Sequence, residues 1–249
     1  MRAPRGETVE LIVNADDFGM SASVNRGIIT AHEQGIVTSC SLMVRREAAS
    51  AAAAYARTHG ALSVGLHIDL GEWVRGDQDW EPRYIVVELD NPTAVADEVD
   101  RQLQTFRELL DRDPTHLDSH QHVHRNDPVR SVGLETAGRY GIPLRHFSDF
   151  RYCGQFYGQH KDGGQNHAAI TVERLIDLID ALLPGVTELC CHPAEEEQPG
   201  EPYGAARAKE LATLCDPRVR SALEERGILL RSFNGISRED GVPWHANKN

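Results

Sequence analysis

Leu11-Ile12-Val13-Asn14-Ala15-Asp16-Asp17-Phe18-Gly19 starts apolar and breaks into two adjacent carboxylates and a glycine. A short apolar run that ends this way reads as a buried strand reaching its carboxyl edge. In α/β folds that edge is where sites are built. Two neighbouring carboxylates repel each other and need a cation, a shared proton or solvent to coexist. A metal on one Asp, with the other kept as a base, meets that need. The other reading is a solvated loop in which Asp17 caps the next helix.

Outward from this stretch, strand-like and helix-like segments alternate. Strands are expected at 10–14, 38–44, 63–70, 116–119, 144–147, 187–191 and 228–232. Helices are expected at 23–34, 46–58, 93–111, 128–140, 171–183, 207–214 and 219–226. The third helix carries Val95, Val99, Leu103, Phe106 and Leu110 close to a 3.6-residue period. Repeated strand–helix units imply a mostly parallel sheet with helical crossovers. About seven strands fit an α/β barrel or partial barrel, so residues 1–249 read as one domain without a linker. Residues 72–91 and 151–167 read as long irregular stretches, and such loops are often functional.

The bulk numbers narrow the function classes. Hydrophobic residues make up 40% of 249 residues, enough for a globular core. The formal net charge of −12 and the lack of any Lys/Arg-rich run argue against nucleic acid or an anionic membrane as partner. The 5 cysteines are odd in number and include no C-x-x-C, which points to a reducing compartment. Residues 1–10 are polar, and no segment is long and apolar enough to span a bilayer. A cytoplasmic location follows as the expectation, with a homodimer left open.

Gly65-Leu66-His67-Ile68-Asp69-Leu70 alternates like a strand, with His67 and Asp69 on one face. Further on, His116-Leu117-Asp118-Ser119-His120-Gln121-His122-Val123-His124 crowds four imidazoles and a carboxylate into nine residues. Imidazole binds metals and moves protons near neutral pH. One Asp from the first strand end, one His from the third strand and one from the fourth make a three-ligand set with open positions. Two His and one carboxylate suit a catalytic Zn²⁺. The same set describes a non-haem Fe(II) centre, and Mg²⁺, Mn²⁺ or Co²⁺ stay open. Glu188-Leu189-Cys190-Cys191-His192-Pro193 is another apolar run, ending in His-Pro at a strand terminus, so His192 would overlook the same barrel mouth.

These motifs resemble the YdjC-like family of carbohydrate deacetylases, which includes the chitooligosaccharide (ChbG-type) and hopanoid-associated HpnK proteins. The resemblance rests on Asn14-Ala15-Asp16-Asp17-Phe18-Gly19, Gly65-Leu66-His67, Thr115 through His124, Phe156-Tyr157-Gly158 and Cys191-His192-Pro193, and covers nearly the whole chain in order. It implies a distorted (β/α) barrel of about seven strands, polysaccharide-deacetylase-like, with one divalent metal ion. By motif match, Asp17, His67 and His120 would be the metal ligands. Asp16 would be the general base, and His192, protonated, would assist the leaving amine. His122 and His124 would stand behind the ligands or face substrate. The implied substrate is a small N-acetylated carbohydrate.

Two segments depart from that family's usual pattern. Asp69-Leu70-Gly71-Glu72-Trp73-Val74-Arg75 follows His67, and Ala194-Glu195-Glu196-Glu197 follows Pro193. Both should rim the pocket. Trp73, Trp80, Tyr152, Phe156 and Tyr157 could offer apolar faces to sugar rings or pack the long loops. Beside the deacetylase stand two other classes: an Fe(II) oxygenase on the same ligands, and a sugar-binding protein on a retired scaffold. Asp16 and His192 argue against the latter, since binding alone needs no general base.

Overall fold

The computed structural model describes residues 8–76, 79–160, 162–196 and 203–236. Most of the polar leader and Glu197 of the acidic run lie outside these residues. The elements run β1 (Val9–Phe18), α1 (Ala22–Glu33), β2 (Ser39–Leu42), α2 (Ala49–Thr58), β3 (Ser63–Ile68), β4 (Gly71–Arg75) and β5 (Trp80–Ile85). They continue with α3 (Pro92–Leu110), β6 (Leu117–Ser119), a 3₁₀ turn (His120–Arg125), α4 (Val129–Tyr140), β7 (Arg151–Cys153) and α5 (Val172–Asp180). The chain then forms β8 (Gly185–Cys191), α6 (Gly204–Leu214), α7 (Pro217–Glu225) and β9 (Leu229–Arg231).

Seven strands form one parallel sheet in the order β6-β3-β2-β1-β8-β7, with β9 also paired to β1. The sheet curls into a partial barrel covered by helices. β1 is central and buried from Leu11 to Phe18, which is why it reads as a continuous apolar run. Start signals agree with the chemistry of helix termini. Ser21, Asn91, Thr171 and Asp216 cap α1, α3, α5 and α7 by accepting backbone N–H groups. Ser21, not Asp17, therefore caps α1. Pro92 and Pro217 sit in the first turns of α3 and α7, where a missing N–H does no harm. Among the described residues, no helix is long and apolar enough to cross a membrane.

Parallel pairing brings the carboxyl ends of the strands together. Ala15 of β1 is in register with Cys40 of β2 and Cys191 of β8, and His67 of β3 with Asp118 of β6. Asp16, Asp17, His67, His120 and His192 therefore gather at one end of the barrel.

Two expectations are corrected. Residues 144–147 form no strand: only Leu144 makes a single bridge, to Leu117. His146 has φ +67, which breaks an extended chain, and Arg145 turns inward to buried carboxylates. The sheet's last strand is β7 instead, inside a stretch expected to be irregular. The other such stretch contains the antiparallel hairpin β4–β5. Its register slips between Glu72 and Trp73, and a Pro in β5 further blunts the period-two signal.

Candidate active site

Asp17, His67 and His120 offer ligand atoms within 4.8 Å of one another, and all three are buried. Asp17 leaves β1 at φ +69, a left-handed turn that swings it away from the direction of Asp16. Its Oδ1 lies 3.4 Å from His67 Nε2 and 3.2 Å from His120 Nδ1, yet has no hydrogen-bond partner. Its Oδ2 accepts from Arg207 at 2.6 Å. Burial alone would raise the Asp17 pKa, but Arg207 together with His120 and His67 outweighs it and holds the carboxyl well below the usual range. His67 Nδ1 lies 2.7 Å from Asp118 Oδ1, which orients the ring and leaves Nε2 towards Asp17. An orphaned carboxylate oxygen facing two imidazoles in a buried place is a donor set that fits a divalent cation.

Asp16 has different company. Arg145 donates to both of its oxygens at 2.7 Å, and Asn14 Nδ2 donates to Oδ1 at 2.8 Å. Burial pushes the Asp16 carboxyl up, but Arg145, with His67 and His192, more than reverses this and keeps it ionised. Arg145 also pairs with Asp118 at 2.8 Å and Glu188 at 2.7 Å. One guanidinium thus serves three buried carboxyls, and burial raises that of Glu188 to about 7. A cluster with more carboxylates than guanidiniums gains from a further cation.

His192 Nε2 sits 3.9 Å from Asp16 Oδ2. Its backbone N–H donates to Glu210, which also accepts from the Tyr203 hydroxyl. Tyr157 and Tyr203 stack on each other and present edges to the His192 ring. Burial lowers the His192 pKa to about 4.

These groups form the floor of a cavity of about 770 Å³, walled by Trp73, Trp80, His122, His146, Tyr152 and Tyr157 among others. The β4–β5 hairpin overhangs it. Gln121 pins the hairpin there, accepting from Trp73 N at 2.9 Å and donating to Trp73 O at 2.7 Å.

Phe156 is 0% exposed and packs into the hydrophobic core while lining the cavity. His124 is also 0% exposed and does not face the cavity; it is held by the Ser119 hydroxyl at 2.6 Å. His122 does face the cavity and receives the Tyr152 hydroxyl at 3.2 Å. His116 packs over Gly65, where a Cβ would come within 2.5 Å of its ring, and stacks on Phe233. Arg145, Arg207, Asp118, Glu188 and Glu210 were not expected in the site. The available signal was charge: paired carboxylates on buried strands demand buried cations.

Comparison with known proteins gives a consistent result. The profile of the YdjC-like protein family matches residues 10–225. A carbohydrate deacetylase of Geobacillus stearothermophilus is 35% identical over 89% of this chain and 96% of its own. A chitooligosaccharide deacetylase of Serratia marcescens is 31% identical over 91% of this chain and 98% of its own. A crystal structure from Enterococcus faecalis V583, provisionally described as a cellobiose-phosphate cleavage protein, superposes with TM-score 0.75. It is 29% identical and covers 93% of this chain and 100% of that one. A family 4 carbohydrate esterase of Streptomyces lividans shares the fold at TM-score 0.56 and 14% identity, over 93% and 97% of the two chains.

Proposed function

The chain belongs to the YdjC-like protein family, and from that premise we propose that it is a metal-dependent hydrolase removing N-acetyl groups from a small carbohydrate. The observation that carries this reading is the convergence of Asp17, His67 and His120 on one buried point, with Asp16 and His192 beside it. Relatives named as carbohydrate and chitooligosaccharide deacetylases support the substrate class, as does a cavity of about 770 Å³ with Trp73, Trp80 and Tyr157 in its wall.

Asp17, His67 and His120 would hold the ion, with Arg207 and Asp118 fixing Asp17 and His67 from behind. When bound, a divalent cation there supplies Lewis acidity for the acetyl carbonyl and the attacking water. Asp16, kept ionised and aimed by Arg145 and Asn14, accepts the proton from that water. His192 Nε2 lies 3.9 Å from Asp16 Oδ2, a gap one bridging water can span to pass that proton on. His192 then gives it to the leaving nitrogen. Its lowered pKa makes it a strong acid once charged.

The test is acetate release from a panel of N-acetylated sugars before and after chelation. The expected result is release that stops on chelation and returns with added metal. Release that ignores chelation removes the metal from the account. A requirement for dioxygen would favour the Fe(II) oxygenase alternative.

A further inference from the structure

His122, His124 and His146 bring three imidazoles together from two separate turns, with ring nitrogens within 4.8 Å of one another. Their ring centroids are 5.3 to 6.0 Å apart. Each ring has a buried nitrogen without a partner: Nδ1 of His122, Nε2 of His124 and Nε2 of His146. Two rings are anchored by their other nitrogen, His122 by the Tyr152 hydroxyl and His124 by the Ser119 hydroxyl. A ring held by one nitrogen, with the other facing like groups in a buried place, is how proteins present imidazole to a metal. Leaving such an atom unpaired is costly, and here three rings that each carry one converge.

The backbone is bent to build this cluster. Gln121, His122 and His146 hold φ of +52, +54 and +67, a region non-glycine residues rarely adopt. The turn at His146 also replaces the strand expected at 144–147.

We propose that His122, His124 and His146 form a second metal site, distinct from Asp17, His67 and His120. It would take an imidazole-preferring transition ion of the Zn²⁺, Co²⁺ or Ni²⁺ kind. Three neutral nitrogen donors and no carboxylate disfavour Mg²⁺, which wants oxygen. Ligand nitrogens on a tetrahedral Zn²⁺ sit about 3.4 Å apart for bonds near 2.1 Å, so the rings must close by about an ångström or less. Arg145 and Arg125 are the cations that act on His146, and Arg145 is already paired with Asp16, Asp118 and Glu188. Two of the three rings, His122 and His146, also line the cavity, so an ion held by the trio borders the substrate space.

The test is Co²⁺ titration of the chelator-stripped full chain, read by metal content after desalting and by visible absorption. Three proteins are compared: wild type, His146→Asn, and Asp17→Asn combined with His67→Gln. Asn suits the positive φ at 146. The expected result is two equivalents in wild type and one in each variant, with Mg²⁺ displacing no Co²⁺ from the Asp17/His67 variant. A Co²⁺ equivalent that survives His146→Asn but is lost in the Asp17/His67 variant overturns the second site. An equivalent lost in His146→Asn and kept in the Asp17/His67 variant supports it even if the other site fails. Should His146→Asn not fold, the Asp17/His67 variant still decides: one equivalent supports the site and none overturns it.

Discussion

Asp118→Asn probes how the ion-binding geometry at His67 is maintained. Asp118 is fully buried, with one oxygen 2.7 Å from His67 Nδ1 and the other 2.8 Å from Arg145. The carboxylate accepts from His67 Nδ1–H and makes an ion pair with the Arg145 guanidinium. An amide cannot: one end is now an NH₂ group. Turned to Arg145, it sets donor against donor. Turned to His67, it makes Nδ1 the acceptor and moves the ring proton to Nε2, the nitrogen facing Asp17. Either outcome weakens His67 as a ligand. Loss of such a supporting contact typically lowers metal affinity 10- to 100-fold, or about 1.4–2.7 kcal/mol. The assay is competition with a chromophoric chelator, with circular dichroism checking the fold. The His146→Asn background removes the second site from the reading. A folded Asp118→Asn protein binding metal within twofold of its parent would refute the reasoning, because His67 would then not depend on Asp118 or would not be a ligand.

Asp16→Asn should keep its metal and lose roughly 10²–10⁴-fold in kcat; metal loss here with retention in Asp17→Asn would mean the two roles are reversed. His192→Ala should lose far more rate on an N-acetyl sugar than on an activated acetate ester, whose leaving group needs no proton; equal losses would make His192 a positioning residue. Metal-free protein should lose stability as pH falls from 6.5 towards 4. Burial lowers His116, His146 and His192 to about 4, His124 to about 3 and His122 to about 2. Such groups stabilise the fold above the unfolded pKa near 6.5, and that stability fades as pH falls. Glu188 and Glu210, both raised to about 7, act in the opposite sense between about 4.5 and 7, but two carboxyls oppose five imidazoles. Denaturant midpoints measured across that range check the sign, and a flat profile contradicts it.

Most of the order of strands and helices was legible because hydrophobic period is local, but β4, β5 and β7 were not. The apolar run at Leu11 and the 3.6-residue period of Val95, Val99, Leu103, Phe106 and Leu110 needed no tertiary information. That Asp17, His67 and His120 lie together was legible as well, from the family motifs and from strand ends that meet in a parallel sheet. Arg145 and Arg207 were not. Each reaches the site from an element far along the chain, and nothing in Leu144-Arg145-His146 says that the arginine turns inward. The strand expected there failed for the same reason: three buried carboxyls draw Arg145 in, and local propensity yields to that pairing. The three-imidazole cluster was half visible. His122 and His124 stood out in one run, but His146 joins them only through the fold.

The most direct measurement follows both products of one reaction. Wild-type protein and Asp17→Asn are each incubated with an N-acetylated chitooligosaccharide, and acetate and free amine are quantified together. The account expects equal amounts of the two from wild type and next to none from Asp17→Asn. Acetate without amine, or equal turnover by both proteins, would contradict it.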